Sequence, residues 1–332
     1  MNKNILLTML AAGLALAWAG CKKTEKPAVL GPLPTGPAEL KLQWPLDMQF
    51  VHRFEIKQNG DITVPGLPQP IKQDMSMTQT MAVSVKKGAD DGREIDLKLT
   101  ALTIRVDRAN QTMLDFDSSK RAGSDPLSGV LGKATGLRVE LALDASNRVQ
   151  SVQGVKDFTG ELESLAGRDQ SGAAQTLSSL FGEQFFKEVF DHTPNMPSKA
   201  VAPGDTWPVH REIDMGQLGT VIVDATNTLV DWEVHNHHNC AHITFEGTMA
   251  RAGGGGPMPG GVSVDLKDGT DSGDTWFDLD RGLYIDSAIT EKMNLGITVP
   301  GGGGGRVNAG GATQKLQMAL NQQITARLDP AN

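Results

Sequence analysis

Apolar residues recur at every second position over most of this chain. Met48, Phe50, His52, Phe54 and Ile56 share one side of such a pattern, and Met75, Met77, Met81, Val83 and Val85 share another. A period of two predicts strands with one buried face. Asn59-Gly60 lies between these runs and reads as a tight turn. From Ile95 to Val106 the apolar parity switches, odd at Ile95, Leu97 and Leu99 and even at Leu102, Ile104 and Val106. One extra residue near Ala101 accounts for the switch and predicts a β-bulge that bends the strand. Alternation resumes at Leu137, Val139, Leu141 and Leu143. Two long stretches follow near the C-terminus, Leu283 to Val299 on odd positions and Leu316 to Leu328 on even ones. The Gln and Ala residues from Gln314 to Leu328 also fit a helix, so that stretch has two readings.

The middle of the chain differs in kind. Leu127 to about Ala134 reads as a short helix. Phe158, Leu162 and Leu165, then Leu177, Leu180, Phe181, Phe185, Val189 and Phe190, recur at helical spacing and predict amphipathic helices around 156–166 and 172–191. Pro194 and Pro197 mark the boundary after them. The tetrapeptide Gly-Asp-Thr-Trp occurs at Gly204–Trp207 and again at Gly273–Trp276, each copy read as preceding a strand. The expected fold is mainly β with a helical insertion (α+β). It is a curved, mostly antiparallel sheet, or two β-meanders, with about two amphipathic helices packed on one face. The expected organisation is 1–20 leader, 21–39 tether, 40–153 N-terminal meander, 154–197 helical segment and 198–332 C-terminal meander. Glycine tracts at Gly253–Gly261 and Gly301–Gly305 lack the Gly-x-x-x-x-Gly-Lys-Ser/Thr phosphate cradle and read as hairpin loops.

Ahead of the alternating part stand Lys3, an apolar run from Ile5 to Ala17, and Leu16-Ala17-Trp18-Ala19-Gly20-Cys21. This order is that of a secretory leader, and the run is too short to cross a bilayer as a helix. The hexapeptide resembles the bacterial lipobox, which implies that Cys21 becomes the diacylated, palmitate-bearing N-terminus of a membrane-anchored lipoprotein. Lys22 at the second mature position implies the periplasm-facing outer membrane if the cell is Gram-negative. Lys22 to Glu39, rich in Lys, Pro, Gly and Thr, is the tether. Cys240 is then the one remaining thiol, so no intrachain disulfide forms. The charge, 31 Lys+Arg against 39 Asp+Glu, and the lack of basic clusters exclude a nucleic-acid binder. Thirteen methionines against few aromatics point to an aliphatic, adaptable interior.

Four of the seven histidines cluster in His235-Asn236-His237-His238-Asn239-Cys240-Ala241-His242. Alternation on both sides predicts a hairpin turning at His237-His238. That turn sets His235 opposite Cys240 and Glu233 opposite His242, all four on one face. Such nitrogen, sulfur and oxygen donors suit zinc or copper, although the spacing is no usual zinc signature and a solvated polar turn is the plainer reading. Asp265, Asp268, Asp271 and Asp274 recur every third residue; calcium is the sharp reading, acidic turns between strands the plain one. Asp278 and Asp280 share a strand face without sign of a cleft, and Ser272 lacks a nucleophile elbow. His52 lies on an apolar face and reads as a buried, hydrogen-bonded structural residue. No catalytic residue and no cofactor are assigned.

The lipobox, the Pro/Gly tether, the long meander and Pro203-Gly204-Asp205-Thr206-Trp207 together resemble an uncharacterised family of bacterial lipoproteins, a domain of unknown function. At the level of fold, strands interrupted by helices are also similar to the half-barrels of periplasmic lipoprotein carriers. The resemblance implies an envelope role. The expected function is a non-catalytic binding or scaffold module for an apolar ligand or an envelope protein, its helices either covering an apolar pocket or completing the core. The alternative is a metal-binding or hydrolytic protein using the His235–His242 hairpin.

Overall fold

The computed structural model describes residues 30–120, 126–169, 181–214, 220–253, 263–299 and 313–330. Cys21, the leader, both glycine tracts apart from Gly253, and Leu177 and Leu180 lie outside the described residues. Twelve strands, β1 (Gln49–Thr63), β2 (Ile71–Lys87), β3 (Arg93–Arg108), β4 (Gln111–Asp117), β5 (Arg138–Leu143), β6 (Val149–Gln153), β7 (Thr206–Asp214), β8 (Thr220–His235), β9 (His238–Gly253), β10 (Ser263–Asp278), β11 (Leu283–Val299) and β12 (Gln314–Pro330), form one open, curved antiparallel sheet. Its order is β6-β5-β3-β2-β1-β12-β11-β10-β9-β8-β7, with β4 beside β3. The strands before and after the helices therefore join along one seam, where β1 pairs with β12 from Phe50–Pro330 to Thr63–Gln317. The stretch from Gln314 is a strand, not a helix.

The strict alternation gives the sheet two chemically distinct faces. One face carries both hydrophobic clusters. The larger gathers β1–β6 and is capped by α1 (Pro126–Ala134), α2 (Lys156–Asp169) and α3 (Glu183–Phe190), with Phe158, Leu162, Phe186 and Phe190 all buried. Phe186 and Phe190, four residues apart, fall on the same side of α3. Phe185 meets Phe54 edge-on at 5.4 Å between ring centroids. The helices thus complete this core. The smaller cluster gathers β7–β10 against the chain around Leu40 and Val201, with Ala38 and Val201 in a two-way backbone bridge.

The bulge read near Ala101 is present: Thr80 pairs with Ala101 but Met81 with Leu99, leaving Thr100 as the extra residue. The Asn59-Gly60 turn is not. Both residues lie inside β1, and Asn59 donates a side-chain hydrogen bond to Asp74 on β2. Gly60 is there for close approach, since a Cβ on it would stand 2.8 Å from Met318 Cε. The second Gly-Asp-Thr-Trp copy likewise falls within β10 rather than ahead of it.

His52 sits on the apolar face as expected, but it is not hydrogen-bonded through Nδ1. It packs against Phe190 with centroids 5.2 Å apart, and Trp44, Phe190 and His192 join it around a cavity of about 40 Å3. Burial, with His192 nearby, pushes His52 down to about 4; burial does the same to His192. Both rings are neutral in the folded protein at pH values where the unfolded chain takes up protons. Stability from these two positions is present above about pH 6.5 and is lost as pH falls towards 4, by on the order of 3 kcal/mol per ring. Replacing His52 by Phe removes an unpaired buried nitrogen and fills the adjoining space. Urea unfolding of His52→Phe should show a gain of about 1 kcal/mol at pH 7 and a larger gain at pH 5. Loss of stability at both pH values would contradict this account of the ring.

Candidate functional site

The β8–β9 hairpin turns through Asn236 and His237, both at positive φ (49° and 66°), as a two-residue turn requires. The turn is centred one residue earlier than the sequence suggested, so every cross-strand partner moves by two. His235 pairs with His238, Glu233 with Cys240, and Asp231 with His242. All of these share the face opposite the cores, as expected, but the predicted partners are not opposite one another.

Trp276 of β10 organises this end of the sheet. The rings of His235 and His242 both stack on it, with centroids at 4.2 Å and 4.9 Å and planes within about 12°. Its indole N–H donates to Glu233 Oε1 at 2.7 Å. Each histidine then reaches a carboxylate, His235 Nε2 to Asp286 Oδ2 at 2.9 Å and His242 Nε2 to Asp274 Oδ1 at 2.8 Å. Nitrogens held this way do not converge on a common point. Cys240 is fully buried, and burial followed by the nearby Asp278 pushes its thiol up to about 12, so it remains protonated near neutrality and is a poor ligand. Among the described residues, the one trio of donor atoms lying within 4.8 Å of one another is Glu94, Asp96 and Glu140, and Lys86 pairs with the first two.

The other acidic candidates separate as well. Asp265, Asp268, Asp271 and Asp274 all lie inside β10 rather than in turns. The strand is bulged between Leu266 and Asp268, and the register puts Asp271 on the core face and the other three on the opposite one. Asp278 is buried and satisfied. It accepts from the backbone N–H groups of Asp280 and Arg281 and from the Arg281 guanidinium, with His238 Nδ1 at 3.0 Å. Burial, then Arg281, lowers the pKa of His238. This is a structural carboxylate closing a turn, not half of an acid–base pair.

A polar row on the core face was not anticipated. Gln58, Gln322, Glu291 and Asp271 stand side by side on β1, β12, β11 and β10. Gln322 donates to Glu291 Oε2 at 3.2 Å. Asp271 Oδ1 lies over Gly247, where a Cβ would come within 2.2 Å of it, and finds no hydrogen-bond partner among the described residues. Arg211 of β7 pairs with Glu188 of α3. Burial and then the neighbouring Asp271 raise Glu291 to about 7, with Arg211 opposing. The signal was in the sequence: Glu291 occupies an odd position in the apolar series of β11.

A raised Glu291 stabilises the fold fully below about pH 4.5, and that contribution is lost as pH rises through about 7, on the order of 3 kcal/mol in all. Glu291→Gln should abolish this part of the pH dependence. Urea midpoints for the variant should exceed those of the parent at pH 8 and match them near pH 5; parallel profiles across that range would contradict the assignment.

No curated protein matches this chain. Among solved structures, the overlay on lipovitellin, from a study of its lipid–protein interactions, has a TM-score of 0.43 at 9% identity, covering 87% of this chain and 26% of that one. The chain thus spans about a quarter of the lipovitellin chain. Overlays on OccK2 (OpdF) of Pseudomonas aeruginosa (TM-score 0.20, 6% identity, 86% of this chain and 98% of that one) and on the MucA/MucB complex of the same organism (0.14, 9%, 81% and 88%) are looser. The sequence from 90 to 284, more than half of the chain, matches the model of one protein family, and the chain belongs to that family of unknown function, DUF6263.

Proposed function

We propose that this chain is a non-catalytic module, anchored to the bacterial envelope through acylated Cys21, that holds the acyl chain of a lipid or lipoprotein on the core face of β10–β12. The observation that carries the reading is an apolar surface beyond the Gln58–Asp271 row. Leu266 pairs with Leu295 and Leu295 with Met318; Met293 pairs with Leu320 in the adjoining row, and Ile297 extends the surface. These six side chains are half-buried and belong to neither hydrophobic cluster. A contiguous apolar surface outside the core favours binding over stability, and thioethers at Met293 and Met318 adapt to chains of varied shape. The polar row next to it marks where the apolar part of the ligand ends. The leader, lipobox and tether support the envelope location, and Lys22 favours the periplasm-facing outer membrane.

A fluorescent fatty acid titrated onto the purified protein should bind saturably. Leu295→Gln and Met318→Gln should each weaken it by roughly tenfold while leaving the free energy of urea unfolding within about 1 kcal/mol of the parent. A probe that does not bind, or that binds both variants like the parent, would remove the ligand reading. The anchor is tested apart from it. Cys21→Ser should leave the protein unacylated and out of the mature membrane-bound pool, and a variant with unchanged mass and membrane retention would refute anchoring.

A further inference from the structure

The face opposite the cores carries a groove of about 770 Å3 that crosses the five neighbouring strands from β8 to β12. The register explains its lining. Thr228, Thr244, Asp274 and Thr325 stand in one cross-strand row, and Thr226, Glu246, Ser272 and Thr290 in the next, with Ala288 and Gln323 completing them. Strands are about 4.8 Å apart, so each row runs roughly 19 Å. Beyond Asp274 on the same face comes Trp276, and the His242–Asp274 hydrogen bond ties the aromatic stack to the edge of the groove.

The chemistry of this lining selects its occupant. Short hydroxyls both donate and accept hydrogen bonds, and where they adjoin across strands, as at Thr228–Thr244 and Ser272–Thr290, they stand one strand spacing apart. Two carboxylates are present, while among the described residues no Lys or Arg lines the groove. That balance repels nucleic acids and other polyanions. Phe245, Gly273, Ile289 and Ile324 also border the groove, but the register assigns their side-chain positions to the core face. The outward positions therefore offer no large apolar or aromatic anchor of the kind that dominates protein interfaces. A chain of hydroxyl groups is what remains complementary. We infer that this groove binds a glycan strand, neutral or amine-bearing, laid across β8–β12 and hydrogen-bonded by the two hydroxyl rows, with Glu246 and Asp274 accepting from its hydroxyl or ammonium groups. The site lies on the opposite face from the proposed acyl surface and does not depend on it.

The test is retention of the purified full chain on insoluble chitin, chitosan and cellulose, with immobilised heparin as the polyanion control. Saturable binding to at least one of the three glycans and none to heparin is expected. Raising salt from 0.05 to 0.5 M should change binding to the neutral glycans by less than twofold, because hydroxyl contacts are not screened. Thr244→Val combined with Thr290→Val removes two hydroxyls at nearly constant volume and should weaken retention at least tenfold without lowering the melting temperature. Ser272→Ala should give a smaller loss, and Met318→Gln none. If the parent is retained on none of the glycans, or if the double variant binds as the parent does while remaining folded, the groove is not a glycan site. Retention lost with Met318→Gln but kept in the double variant would assign glycan contact to the other face and equally overturn it.

Discussion

The structure depends on the pairing of β1 with β12. These strands lie at opposite ends of the folded chain, yet their ladder runs almost the full length of both. Without it the sheet splits into two pieces, each with an unprotected edge, and the two hydrophobic clusters lose their common scaffold. Loop-closure entropy opposes a contact so distant in sequence, so the seam forms only where local pairing already favours it. β1 is fixed by its other neighbour β2, and β12 by β11, which brings two ready edges together.

From that seam follows the separation of chemistry between faces. A period of two sends apolar side chains to one face across the strands, where three helices close one end and the chain around Leu40 and Val201 closes the other. Between and beyond these covers, β10–β12 keep an apolar surface that contributes little to either core. The Gln58–Gln322–Glu291–Asp271 row interrupts the apolar face, and its cost is visible in the raised Glu291 and the unpaired oxygen of Asp271. A buried polar atom without a hydrogen-bond partner costs stability, and in this row that atom is Asp271 Oδ1. The opposite face is polar throughout its middle, and its hydroxyls are positioned by the same registers that set the core.

Faces were legible in the sequence, and partners were not. The odd series of β11 and the even series of β12 emerge as half-buried positions, and the parity switch at Thr100 is a real bulge, because side-chain direction is a local property of a strand. Register is not local. Moving the turn from His237-His238 to Asn236-His237 keeps Glu233, His235, Cys240 and His242 on one face but gives each a new partner, and the stacking on Trp276 depends on the separate register of a third strand, β10. Asn59-Gly60 misled for a related reason. The dipeptide has the composition of a turn, but what the position needs is the absence of a side chain under Met318 and Leu320, a demand made by β12.

The most direct test of the proposed acyl-binding surface is the response of its methionines. With methyl-labelled methionine, addition of a dodecyl phospholipid should shift the Met293 and Met318 methyl resonances together and saturably, while Met77 and Met81, buried in the larger hydrophobic cluster, stay in place. Unmoved Met293 and Met318, or equal shifts at all four positions, would contradict the claim that this face receives an apolar ligand.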